Sequence, residues 1–290
     1  MGFEAIYITG AGVTNMWFGL PDQGFMGLAE IADHTARIRD AVSLPLIVDA
    51  DTGFGNALNV SHTVRTLERA GADCIQFEDQ IAPKRCGHFA GKDVIPIEEA
   101  VNKIKAAADA RQDADLLILA RTDACAVYGF EAAIERAQRF AEAGADILFV
   151  EAVTTADEIR ALPRRLDRPQ LMNMVVGGKT PIFSAEDLGG MGYGLVLYAN
   201  AALQGALRGM GSVALSNFCQ KMVLILLNNF SWKLLNATEP RNELWQISVR
   251  PKLSCCSHCL VIFSPNSTAS SGVVDVKALS NASRALSFCR

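Results

Sequence analysis

The 290-residue sequence predicts an α/β fold: a (β/α)8 TIM-type barrel apparently lacking its first strand and helix, with an atypical C-terminal tail. Three observations carry this. Seven short apolar runs alternate with amphipathic helical patterns, as in a parallel sheet buried on both faces. Nearly every run ends in a polar residue, and barrel enzymes build their sites at the carboxyl ends of their strands. No G-x-G-x-x-G follows the first run, which disfavours the rival doubly wound dinucleotide fold.

The runs are Ala5–Gly10, Leu44–Asp51, Asp73–Asp79, Asp115–Asp123, Asp146–Ala152, Gln170–Val176 and Tyr193–Ala199. Between them lie segments such as "NVSHTVRTLERAGA" and "FEAAIERAQRFAEAGA", with apolar residues at helical spacing and an Ala-Gly-Ala stop. Seven strands are one short of a closed barrel, and the missing unit is expected before Met1.

Composition changes near residue 215. Residues 1–215 hold 22 of the 23 glycines and 19 Lys+Arg against 28 Asp+Glu; residues 216–290 hold 12 of the 16 serines and five of the eight cysteines. The body, 1–215, reads as a catalytic barrel domain, and 216–290 as a divergent, partly disordered tail. In the tail, Cys255, Cys256, His258 and Cys259 lack the second spaced pair that a zinc site requires. A net charge of −4 gives no basic surface for nucleic acid or anionic membrane. The longest apolar run, Met222–Leu227, is too short to span a bilayer, and no secretory signal opens the chain. The expectation is a soluble, cytoplasmic protein without nucleic-acid or membrane partners, acting on a small molecule.

At the strand ends stand Thr9-Gly10-Ala11, Asp49 and Asp51, Glu78, Arg121, Glu151 and Asn173. Each alone reads as readily as a helix cap or solvated loop group; the repetition along successive strands points to one site. Asp49, Asp51 and Glu78 make an oxygen-rich set suited to a hard divalent ion such as Mg²⁺, with Mn²⁺ also acceptable. Cys86 lies among Lys84, Arg85 and His88, neighbours that favour a thiolate able to carry a proton near neutral pH. Gly87 and Gly91 suit a loop that closes over substrate. Arg121 ends a buried strand and needs a carboxylate partner, from substrate or from Asp123 or Glu151. The N–H groups at Gly10 and Ala11 are candidates to hold an oxyanion.

The stretches "DADTGFGNALNV", "EDQIAPKRCGH", "ARTDA" and "NMVVGGKTP" resemble the isocitrate lyase and phosphoenolpyruvate mutase superfamily over about residues 2–210. The resemblance implies a barrel, a homo-oligomer (usually a tetramer with exchanged helices), and Mg²⁺ or Mn²⁺ bound beside a 2-oxo or 2-hydroxy acid. It makes Asp49 and Asp51 metal ligands, largely through water, with Glu78 behind them. Cys86 becomes the acid that protonates the enolate left by C–C cleavage, within a loop that carries Lys84 and His88. Thr9, Gly10, Ala11, Asp22, Gly87, Arg121, Glu151 and Asn173 fall to substrate binding.

The thiol loop implies a C–C lyase for a small 2-hydroxy or 2-oxo dicarboxylic acid. A carboxyphosphonoenolpyruvate mutase, an oxaloacetate hydrolase or decarboxylase, and a catalytically impaired homologue serving as a subunit or binding protein are the alternatives. Val176 stands where the family commonly has an acid. Gln204 stands where methylisocitrate lyases carry an arginine, which fits a dicarboxylate better than a tricarboxylate.

Overall fold

The structure, a computed structural model, describes residues 3–84, 91–199, 201–215, 222–223 and 261–262. Cys86, Gly87, His88 and the Cys255–Cys259 cluster lie outside the described residues. The chain divides into two compact units, residues 1–201 and 202–290.

In the first unit every sequence-predicted strand forms, each shorter than its apolar run. They are β1 (Ile6–Ile8), β2 (Leu46–Asp49), β3 (Cys74–Glu78), β4 (Leu117–Thr122), β5 (Ile147–Val150), β6 (Leu171–Asn173) and β7 (Leu195–Leu197). The first five make one parallel sheet in sequential order, and β6 pairs in parallel with β7. A parallel bridge between Leu148 and Gln170, with Leu148 N–H donating to the Pro169 carbonyl at 3.0 Å, joins β5 to the lead-in of β6. Seven strands thus follow one another around the barrel wall. Among the described residues β7 does not pair with β1, so the barrel is not closed there.

Helices cover the outer face. Those used below are α1 (Gly10–Met16), α2 (Leu28–Ala41), α3 (Ala57–Arg69), α4 (Ile97–Ala110), α5 (Ala124–Tyr128) and α6 (Phe130–Glu142). The Asn56 side chain caps α3 by accepting from the Leu58 and Asn59 N–H groups. Beyond α3 and α6 stand Gly71 (φ +92°) and Gly144 (φ +105°), the left-handed glycines that their Ala-Gly-Ala stops foretold. Val60, Val64 and Leu67 of α3, and Ala133, Ile134 and Phe140 of α6, pack with outward strand residues such as Val48, Ile75, Phe77, Ile118 and Leu148.

The opposite strand faces build a second, interior cluster of Ile47, Cys74, Leu119, Ile147, Phe149 and Leu171, flanked by Tyr7, Leu195 and Leu197. Strand side chains alternate, so the residues two positions toward the carboxyl ends also face inward: Asp49, Gln76 and then Glu78, Arg121, Glu151 and Asn173. The pairing register stacks them, with Asp49 opposite Gln76, Glu78 opposite Arg121, and Arg121 opposite Phe149. An apolar floor therefore carries a polar upper layer.

Of the second unit, the described parts are most of a helix, Ala201–Leu215, which starts at the end of the first, and an antiparallel pair, β8 (Met222–Val223) with β9 (Val261–Ile262). Among the described residues no helix is long and apolar enough to cross a membrane.

Candidate active site

Asp49 is the last residue of β2, and the chain breaks from the strand immediately beyond it, with Asp51 at φ +47°. That break lets two acids spaced by two serve one site. The Asp49 carboxylate accepts three hydrogen bonds: Oδ1 from Asp51 N–H and from Gln76 Nε2, both at 3.1 Å, and Oδ2 from Gly10 N–H at 3.2 Å. One of the two N–H groups expected to face an oxyanion is thus engaged by Asp49. A methyl group added at Gly10 would lie 2.9 Å from Asp51 Oδ1 and 3.3 Å from Asp49 Oδ2. Both carboxylates converge on this residue, and a side chain here would have to displace them. Thr9 caps α1 by accepting from Gly12 N–H at 3.3 Å, and Ala11 lies half-buried in the first turn.

Lys84, at the near end of the thiol-bearing segment, is buried and reaches into this group. Its Nζ lies 2.6 Å from Asp22 Oδ1 and 2.8 Å from Asp51 Oδ1. Burial alone would lower the lysine's pKa, but Asp51, then Glu78, Asp49 and Asp22 outweigh it and hold the ammonium well above its usual value. Burial pushes the Asp51 carboxyl up to about 7, with Lys84 opposing the rise and Asp49 adding to it.

Arg121, at the end of β4, makes the two-point contact with Asp123 that the sequence allowed, at 3.0 and 3.1 Å. Glu78 lies at 3.4 Å and Glu151 at 3.8 Å, and the guanidinium stacks 5.2 Å over the Phe149 ring. Burial would lower the Arg121 pKa, yet Asp123, Glu78 and Glu151 drive it well above its ordinary value, so the charge is permanent. Asn173 donates to Glu151 at 3.1 Å. Burial raises the Glu78 carboxyl well above the carboxylate range, against the pull of Arg121 and Lys84.

The structure therefore gathers Gly10, Asp22, Asp49, Asp51, Glu78, Lys84, Arg121, Glu151 and Asn173 at the carboxyl ends of the strands. Sequence reasoning missed three supporting residues, Lys92, Gln76 and Tyr7. Asp123 receives Lys92 Nζ at 2.6 Å as well as Arg121. Gln76, fully buried in β3, accepts from the Tyr7 hydroxyl at 2.7 Å while donating to Asp49. Burial, then the charge of Asp49, keeps the Tyr7 phenol protonated by raising its pKa well above the ordinary value. The available signal was a polar side chain at inward-facing parity inside an apolar strand.

The donor set fits a hard cation. Among the described residues, four buried acids, Asp22, Asp49, Asp51 and Glu78, face two cations, Lys84 and Arg121, and Arg121 is already shared with Asp123 and Glu151. The buried oxygens Glu78 Oε1 and Asn173 Oδ1 have no hydrogen-bond partner among the described residues. No three His, Cys, Asp or Glu side chains there form a ready-made ligand shell. An ion held here would complete its shell with water and ligand oxygens, as Mg²⁺ does.

An open-ended parallel barrel wall with acids, a lysine and an arginine crowded at its strand tips is the layout of an α/β-barrel enzyme. The chain belongs to the phosphoenolpyruvate phosphomutase family, whose model matches residues 1–217. It is 50% identical over 213 residues to 2-methylisocitrate lyase of Aeropyrum pernix, covering 73% of this chain and 68% of that protein. The structure resembles that of 2,3-dimethylmalate lyase, a member of the phosphoenolpyruvate mutase/isocitrate lyase superfamily. The TM-score is 0.71 and the identity 32%, over 82% of this chain and 80% of the other. It also resembles phosphonopyruvate hydrolase complexed with oxalate and Mg²⁺ (TM-score 0.62, 33% identity, 73% of this chain and 75% of that one).

Proposed function

We propose that the protein is a Mg²⁺-dependent carbon–carbon lyase that splits a small 2-hydroxy dicarboxylic acid to a 2-oxo acid. One observation carries this reading: Asp49 and Asp51 converge on a bare Gly10 while Lys84 pairs with Asp51 and Arg121 faces the neighbouring Glu78. The resemblance to 2-methylisocitrate lyase and 2,3-dimethylmalate lyase supports the bond type and the substrate class.

In this reading Asp49 and Asp51 hold the cation, with Glu78 behind them. Bound Mg²⁺ supplies a Lewis acid beside the substrate's oxygens. Arg121, fixed by Asp123 and backed by Phe149, orients the carboxylate of the leaving half, with Glu151 and Asn173 beside it. The substrate hydroxyl loses its proton to one of the buried carboxylates as the C–C bond breaks. The electron pair passes to the carbon next to the second carboxylate, and Cys86 protonates that carbon. Lys84 holds Asp22 and Asp51 in place at the root of the segment bearing Cys86, Gly87 and His88. The protein works as a homo-oligomer, a reading supported by the exposed Met16, Trp17 and Phe25 side chains and by the family resemblance.

The test is purified protein with Mg²⁺ and a panel of 2-methylisocitrate, 2,3-dimethylmalate, oxaloacetate and phosphonopyruvate, assayed for product. Release of a 2-oxo acid from one of the first two supports the lyase. Turnover of oxaloacetate or phosphonopyruvate alone moves the reading to a hydrolase or mutase. A folded protein that turns over none and binds no ligand is an impaired homologue.

A further inference from the structure

We propose that Gln76, locked by Tyr7, is a positioning residue that sets the orientation of Asp49 toward the cation; the inference rests on the metal-dependent reading above. Tyr7, Asp49 and Gln76 stand on three adjacent strands at inward-facing positions, and Asp49 lies directly opposite Gln76 in the β2–β3 register. The Gln76 side chain is fully buried, so each end of its amide needs a partner. Its oxygen accepts from the Tyr7 hydroxyl at 2.7 Å and its Nε2 donates to Asp49 Oδ1 at 3.1 Å.

Chemistry fixes the direction of this chain. An ionised carboxylate only accepts, so the Gln76 NH₂ must face Asp49 and its carbonyl must face Tyr7. The Tyr7 hydroxyl donates to that carbonyl and so anchors the far end of the amide. With Asp51 N–H on Oδ1 and Gly10 N–H on Oδ2, the carboxylate plane is then held from three sides. Of its roughly four acceptor sites, one, on Oδ2, is then left for the cation. Residues that bond to a metal's own ligands fix ligand geometry and set affinity in this way.

Mn²⁺ binding, measured by electron paramagnetic resonance, tests this independently of turnover, in full-length wild type, Gln76→Met, Tyr7→Phe and the double variant. Thermal unfolding is followed in parallel. Gln76→Met keeps the volume but removes both hydrogen bonds, and we expect its Kd for Mn²⁺ to rise about 10- to 100-fold. Tyr7→Phe should weaken binding by less, and should add nothing in the Gln76→Met background because it acts through that amide.

A folded Gln76→Met that binds Mn²⁺ within about twofold of wild type overturns the inference. So does a Tyr7→Phe effect of equal size in both backgrounds. Should Gln76→Met not fold, Tyr7→Phe, which removes one oxygen atom, decides alone: an unchanged Kd overturns the proposal. Wild type that binds while both variants bind equally well leaves the lyase reading standing. Wild type that binds no Mn²⁺ removes the metal reading, and this inference with it.

Discussion

The Lys84 ammonium sits 2.8 Å from Asp51 Oδ1, with both side chains buried at the end of the barrel wall. Lys84 also holds Asp22, so one cation restrains two acids from different segments. Eight residues on, Lys92 is pinned to Asp123 in the same manner. Both flanks of the segment that contains Cys86 are thus tied to the strand ends by buried charge pairs.

Replacing Lys84 with methionine strands Asp22 and Asp51 beside Asp49 without a counter-charge. Breaking a buried pair from one side costs about 3–5 kcal/mol, so a fall of that order in denaturant-measured stability is expected without metal. Added Mg²⁺ should return more stability to this variant than to wild type, since it supplies the missing positive charge.

Asp123 predicts a specific acid sensitivity. Burial would raise its carboxyl, but Arg121 and Lys92 overcome this and bring it down from 3.8 to about 2. A depressed carboxyl stabilises the fold above its unfolded-state value. That contribution is complete above about pH 4 and fades as pH falls toward 2; at roughly 1.4 kcal/mol per unit it amounts to about 2 kcal/mol. The stability gap between wild type and Asp123→Asn should therefore narrow over that window in acid unfolding curves.

Gly10→Ala puts a methyl group 2.9 Å from Asp51 Oδ1. The strain should cost about 1–3 kcal/mol of stability, and the displaced carboxylates should weaken Mg²⁺ binding by at least tenfold, or about 1.4 kcal/mol. Isothermal titration with Mg²⁺ against a thermal melt separates the two effects.

Cys86→Ser exchanges a thiol for a far weaker acid of similar size. If Cys86 delivers the proton, kcat should drop about 10²- to 10⁴-fold while Mg²⁺ affinity stays at the wild-type value. Equal losses in both would mark a structural role instead.

Much of the barrel is legible in the sequence because its physics is local. A parallel strand buried on both faces has to be apolar nearly throughout, and the helix stops at Gly71 and Gly144 need left-handed glycines. Acids at strand ends stand out against such runs, which is why Asp49, Asp51 and Glu78 can be read directly. What could not be read is which group each charge meets. For Arg121 the sequence offered Asp123, Glu151 or a substrate carboxylate, and only the folded strand ends show Asp123 nearest at 3.0 Å, Glu78 next at 3.4 Å and Glu151 at 3.8 Å. Asp79 shows the same limit. Next to Glu78 but of opposite parity, it leaves the site to accept from Thr122, Asp123 N–H and Arg136 outside the barrel. Gln76 and Tyr7 stay hidden because a polar residue within a strand gains meaning only once the inward face is known.

The most direct measurement is a crystal structure of the protein grown with Mg²⁺ and oxalate. The expected result is one cation at the strand tips, bound by Asp49 and Asp51 directly or through water, with oxalate between it and Arg121. A cation bound elsewhere, or oxalate seated away from Gly10 and Arg121, would contradict the claim that these strand ends form a single catalytic site.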